Sequence, residues 1–294
     1  KNILSIKKKN NDYRIIGKQL NAIKIIDDLL FEDSKGKNNY FSKNFNLIIN
    51  IDKVLISKNE FINNLKGKLK LKNNEVTSAK LVSEFDTEDK LVFTIELNDG
   101  KKITTFFSDR AKPFVKKFKF IKGFDEGSLD FYSVKSDGIS NSKIKIYNFK
   151  LKELPLLTKV LTLASLQGIA DILSGEGIRF NELEMNIENK KNLIVINEIY
   201  AIGPAISILM DGYVEKKKLI SLRGTLVPAT TLNKVIGSIP FLGDILVGKK
   251  TGEGVFGVSF KIKGPPKSPQ TTVNPIKTLT PRFITRTLEK IKKN

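Results

Sequence analysis

The chain has 294 residues, Lys+Arg 51 against Asp+Glu 31, a formal charge of +20, 40% hydrophobic residues and no Cys, His or Trp. Without Cys or His there is no disulfide, thiolate nucleophile, imidazole base, zinc finger or His-ligated metal, which excludes most hydrolase and redox chemistry. The length fits one large β domain or two of ordinary size, and no run of about 18 apolar residues is present to cross a bilayer as a helix.

Lys1 to Asn11 is polar and basic, with neither an initiator Met nor a leader pattern, and the expectation is a fragment whose targeting signal or anchor lies upstream. Arg14 to Leu30 reads either as a helix or as a strand followed by a short helix. Period-two alternation then predicts consecutive antiparallel strands. Phe45, Leu47, Ile49 and Ile51 oppose Asn46, Asn50 and Asp52, while Leu65, Leu69 and Leu71 alternate with lysines. The pattern returns at Leu91, Phe93, Ile95 and Leu97, and again at 103–107, 118–121, 129–134 and 144–151. Lys72-Asn73-Asn74, Asn98-Asp99-Gly100 and Ser136-Asp137-Gly138 between these runs are hairpin chemistry, because Asn and Gly tolerate positive φ.

From Leu151 the texture changes, and the expected divisions are 1–150, 151–264 and 265–294. Pro155 suits a first helical turn and Gly175 an exit, so the apolar stretch between them predicts one helix with a narrow polar stripe of Thr158, Thr162 and Ser165. Strands resume over 183–187, 193–199, 206–214 and 219–226; a second helical piece runs from Pro228, breaks at Gly237 and Pro240, and continues to Val247. Val255 to Lys263 alternates once more. Gly264 to Thr280, with Pro265, Pro266, Pro269 and Pro275, predicts an extended run over a surface. Thr280-Pro281 opens a basic amphipathic helix, with Ile284, Leu288 and Ile291 on one face and Arg282, Arg286, Lys290 and Lys293 on another; it either packs on its own domain or attaches to anionic lipid.

The 51 basic residues are 45 Lys and 6 Arg. A coding bias toward Lys and Asn accounts for this as well as a selected basic surface does. Scarce Arg argues against base and phosphate forks, so no nucleic-acid partner is expected, while general attraction to anions stays open. Gly252 to Gly257 spells GxGxxG, yet a helical piece precedes it and a strand follows, the reverse of a dinucleotide site. Gly243 to Lys250 approaches a P-loop but lacks the final Ser or Thr. Asp27-Asp28, and Glu84 with Asp86, have no partner constellation and read as solvated faces. No cofactor, metal or enzymatic activity is expected.

Several segments together resemble the C-terminal region of the AsmA-like family of bacterial envelope proteins, its YhdP-type branch above all, with TamB a relative. They are Leu156 to Leu161, Leu166-Gln167-Gly168, Ser174 to Phe180, Gly224 to Ala229, Ile239 to Gly243, Gly252 to Val258, Gly264-Pro265, Val273-Asn274-Pro275 and Leu279-Thr280-Pro281. The order and spacing carry the resemblance over about half the chain, and the glycine motif becomes a family turn. Arg282 stands where the family often has Gly, and Ile276-Lys277-Thr278 replaces a more apolar stretch.

The resemblance implies a mainly β fold, a long curved antiparallel sheet forming an open, taco-like groove with a few short helices near its C-terminal end. It implies a periplasmic bridge-like transporter conducting phospholipid between inner and outer membrane, held to the inner membrane by an upstream segment, with this chain as the distal end. Expected partners are phospholipids, the inner leaflet of the outer membrane and envelope proteins. The expected groove lining is Phe45, Leu47, Ile49, Leu69, Phe93, Ile95, Phe131, Phe256, Val258 and Phe260; the alternative makes these the core of a closed sandwich. Leu156, Leu157, Val160, Leu161, Phe241 and Leu242 are expected to plug the groove or touch a membrane, with Arg282, Arg286 and Lys290. A scaffold for outer-membrane biogenesis, without lipid conduction, is the second reading.

Overall fold

The computed structural model describes residues 2–25, 44–72, 75–115, 123–152, 155–164, 166–228 and 257–276, together with Arg282, Phe283, Thr285, Arg286 and Glu289. The described chain is mainly β, and its strands follow one another in sheet order from β1 to β15 without closing. Two compact units divide it, residues 1–119 with 126–142 and residues 120–125 with 143–294.

The first unit holds β1 (Ile3–Lys9), β2 (Asp12–Asn21), β3 (Phe45–Ser57), β4 (Glu60–Lys72), β5 (Glu75–Glu84), β6 (Lys90–Asn98), β7 (Lys101–Ser108), a short helix α1 (Lys112–Val115) and β8 (Asp125–Ser136). Arg14 to Asn21 thus belongs to a strand, followed by a helical turn at 23–25. Asp99 and Gly100 have φ of 49° and 74°, and Asp137 and Gly138 φ of 50° and 76°, the left-handed pair that a two-residue hairpin turn requires. Asn73 and Asn74 lie outside the described residues, as does the strand expected over 118–121.

One pairing departs from the expected antiparallel meander. β2 and β3 run parallel, Ile15 opposite Ile49 and Leu20 opposite Val54. A tight turn cannot make such a pair, and the long connection from Ala22 to Asn44 supplies the crossover that parallel strands need. The alternation also slips at facing positions of β3 and β4: the buried series passes from Ile51 to Val54 and from Leu65 to Ile62, around Asp52 and the left-handed Asn64 (φ 53°). The slip keeps Ile51, Val54, Ile56, Ile62 and Leu65 in one core with Phe85 and Leu91.

The second unit contains β9 (Ile139–Leu151) from Lys143 onward, α2 (Pro155–Leu163), α3 (Gln167–Ser174), β10 (Ile178–Lys190), β11 (Leu193–Ile202), β12 (Ile206–Glu215), β13 (Leu219–Pro228), β14 (Gly257–Gly264) and β15 (Gln270–Ile276). The single helix expected from Pro155 to Gly175 is two, because Leu166 adopts φ −98° and ψ 47°. Its carbonyl then receives the amides of Ile169 and Ala170 and starts the next helix. The Pro-rich run is a strand in part: β15 pairs with β14, Val273 opposite Phe260. Pro275 is tolerated there because, among the described strands, β15 lies at the edge of the sheet beside β14 alone. Phe124, Phe149 and Phe180 stack at centroid separations of 5.4 and 5.3 Å and, with α2 and α3 residues such as Leu161 and Leu173, are buried in this unit. Of the second helical piece, expected from Pro228 to Val247, Pro228 instead ends β13 and the rest lies outside the described residues.

Candidate functional site

Residues directly opposite in a sheet share a face, so the pairing register of the first unit assigns each apolar side chain to a side. One row crosses all eight strands of that unit: Ile6, Ile15, Ile49, Gly67, Leu81, Phe93, Phe106 and Phe131. The row two residues along reads Lys8, Tyr13, Leu47, Leu69, Ala79, Ile95, Thr104 and Ser133. Phe45 and Leu71 pair in the next. Seven expected lining residues, Phe45, Leu47, Ile49, Leu69, Phe93, Ile95 and Phe131, therefore occupy one face. Eight strands at about 4.8 Å spacing make the row roughly 34 Å long.

The face has two parts. Toward the β3–β4 hairpin it closes into the core around Ile56, Ile62 and Phe85, and Phe114 of α1 covers Phe106 edge-on at 4.6 Å. Toward the other end Leu47, Leu69, Phe93 and Phe131 stay half-buried, and Leu97 is 56% exposed. Phe45 and Ile95 are buried, Phe45 against the edge of Tyr13 at 5.1 Å. Cations bound this end: Leu97 pairs with Lys102, which pairs with Lys135.

Gly67 occupies its place in the first row because nothing larger fits. A Cβ there would meet the Lys80 carbonyl oxygen at 2.0 Å and Leu81 Cδ2 at 2.8 Å. Ile6, Ile15, Leu81 and Phe106 belong to the same face and were not singled out by sequence reasoning. Their strands could be recognised in part by alternation, but their side of the sheet depends on register, which a single strand does not reveal.

In the second unit Val258 and Phe260 are buried on one face of β14, opposite Leu226 and Gly224 of β13. Leu157, Val160 and Leu161 are buried on α2, and Leu156 is half-buried. Phe256, Phe241, Leu242 and Lys290 lie outside the described residues.

Arg282 and Arg286 turn toward carboxylates of the sheet. Arg282 donates to Glu198 Oε2 at 2.9 Å and to the Asn197 carbonyl at 3.0 Å, and lies 3.5 Å from Asp211. Arg286 reaches Glu198 Oε1 at 2.6 Å and Glu184 Oε1 at 3.5 Å, and its guanidinium stands 5.7 Å from the Tyr200 ring centroid. Burial pulls the Arg286 pKa down, but Glu289, Glu198 and Glu184 together hold it above its ordinary value. Phe283 beside them is fully buried, edge-on to Tyr200. These contacts dock the C-terminal segment on its own unit, the arrangement open to it besides lipid attachment.

Among the described residues no cluster of carboxylates is arranged to hold a metal ion. Compared with protein-family models, curated proteins and solved structures, the chain finds no match.

Proposed function

We propose that this chain is part of a bridge-like phospholipid carrier of the bacterial envelope, with acyl chains lying along the apolar face of its first unit and no covalent step. The observation that carries the reading is the row from Ile6 to Phe131, in which every strand contributes an apolar side chain or, at Gly67, none. A lipid moving across the strands would keep its tail against hydrocarbon at each step. Each CH₂ exposed to water costs roughly 0.8 kcal/mol, so such a lining removes a barrier on the order of ten kcal/mol for one acyl chain. The half-buried residues near Leu97 offer the accessible portion, and Lys102 and Lys135 at its margin suit phosphate headgroups left in water. In this reading the protein works in the periplasm, held to the inner membrane by a segment upstream of Lys1, and delivers to the outer membrane.

Native mass spectrometry of chain purified from cells without detergent tests this. Bound phospholipid, lost on Phe93→Asp with the fold retained by circular dichroism, is the expected result. A well-folded, lipid-free protein would overturn the reading and favour an envelope scaffold.

A further inference from the structure

The opposite face of the first unit carries a different pattern. Its central row, set by the same register, reads Lys7, Arg14, Ile48, Lys68, Lys80, Thr94, Thr105 and Tyr132. Lys66 and Lys70 flank Lys68 on β4, two residues to either side on the same face. Lys7, Arg14, Lys66, Lys68, Lys70 and Lys80 are all exposed, and among the described residues none of the six makes an ion pair. Lys68 and Lys80 stand directly opposite each other, an arrangement that destabilises a sheet. Alternation would permit a neutral or acidic residue at either position. Strand spacing of about 4.8 Å packs the six cations into a patch roughly 20 Å across.

We infer that this face docks on a membrane surface bearing anionic phospholipid headgroups. The charge is complementary, and five of the six cations are Lys, a point charge that attracts phosphate without demanding a planar fork. The residues interleaved with the cations decide between polyanions. Aliphatic side chains stand among them, Ile16 at 41% exposure, Ile48, and Val82 at 40%, together with the polar Asn46, Asn50 and Ser78 and one carboxylate, Asp12. Aliphatic side chains among lysines suit the headgroup boundary of a bilayer. Single-stranded nucleic acid instead needs aromatic platforms beside the cations, and the exposed aromatics of this face, Phe107 and Tyr132, sit on β7 and β8, two or more strands beyond Lys80. The inference does not rest on lipid occupying the apolar face, because the cations lie on the other side of the sheet.

The experiment is flotation of the whole chain with phosphatidylcholine vesicles, with and without phosphatidylglycerol, using wild type, Lys80→Glu and, as a charge-matched control in the β3–β4 turn, Lys58→Glu. Wild type floats with the phosphatidylglycerol vesicles only, and releases in about 0.5 M salt. Lys80→Glu binds about tenfold more weakly while Lys58→Glu binds as wild type. Lys80→Glu places a carboxylate opposite Lys68 and therefore melts at a higher temperature, so weaker binding cannot be blamed on unfolding. Equal loss in both variants would overturn the inference in favour of net charge alone. Absence of binding to phosphatidylglycerol vesicles, or displacement from them by an oligonucleotide at lower concentration than the lipid, would overturn it too. Flotation with Lys80→Glu reads the basic face and bound lipid in native mass spectrometry reads the apolar one, so failure here is distinguishable from failure of the carrier reading.

Discussion

A Cβ on Gly67 would stand 2.0 Å from the carbonyl oxygen of Lys80 across the β4–β5 pair. The obstacle is backbone on the neighbouring strand, which cannot swing aside as a side chain can. Gly67→Ala must therefore push β4 and β5 apart in the middle of the apolar row. The expected cost is about 2–4 kcal/mol in urea denaturation, in the range of overpacked interior sites. A loss under about 0.5 kcal/mol would mean that the two strands part easily there.

Gly100 is the contrasting case. Its φ is +74° and nothing lies within 4 Å of the Cβ it lacks, so the penalty for a side chain is conformational alone. Gly100→Ala should cost about 1 kcal/mol, and Gly100→Asn less, since Asn tolerates the left-handed region. The same denaturation series measures both, and an Ala cost equal to that of Gly67→Ala would show that the hairpin, rather than the close approach, limits stability.

These two glycines mark what sequence does and does not disclose. The Gly100 turn is legible because an Asp-Gly pair between alternating runs has a local cause. Gly67 is not, because its reason lies on another strand. β6 and the first half of β3, from Phe45 to Ile51, declare themselves by alternation. β5 does not: small residues at Ala79 and Ser83 occupy its inner face, while Val82 on its outer face is 40% exposed. β1 hides as a basic stretch because an edge strand is guarded by lysines, and β15 because prolines are tolerated at the other edge. The seven lining residues were legible one at a time, as members of alternating strands. Their common face was not, since it follows from register and from the slip at Asp52 and Asn64.

Acid sensitivity should reside partly in the β5–β6 turn. The Thr87 hydroxyl, and then the Arg110 guanidinium at 2.7 Å, hold the Asp89 carboxyl below its ordinary pKa, with Arg110 in turn 5.0 Å from the Phe85 ring centroid. A carboxyl depressed in the folded state contributes stability above its unfolded pKa of about 3.9 and loses it as pH falls through the folded value. Asp89→Asn should thus lower stability at pH 7 by less than about 1 kcal/mol, since the pair is partly exposed, and flatten the decline below pH 4. Thermal melts between pH 7 and 3 check it, and parallel curves for the two proteins would rule Asp89 out.

Arg286 should be the residue that keeps the C-terminal segment docked. Glu184 and Glu198 are only 5% and 9% exposed, and Arg286 stands within reach of both. Removing it leaves two buried carboxylates on diagonal positions of β10 and β11, Glu184 opposite Tyr200 and Glu198 opposite Asn186, although Lys143 still reaches Glu184 at 2.8 Å and Arg282 still reaches Glu198. Those surviving partners place Arg286→Ala near the lower end of the cost of a broken buried pair, about 3 kcal/mol. Arg286→Lys recovers part of it, because a single ammonium cannot serve both carboxylates in the manner of a fork. The segment itself reports the loss: Phe283, buried against Tyr200, leaves with it, so trypsin should cut at Arg282 faster in Arg286→Ala than in wild type. Unchanged cleavage with a lowered melting temperature would mean that Phe283 alone holds the segment and that the guanidinium serves only to neutralise the sheet.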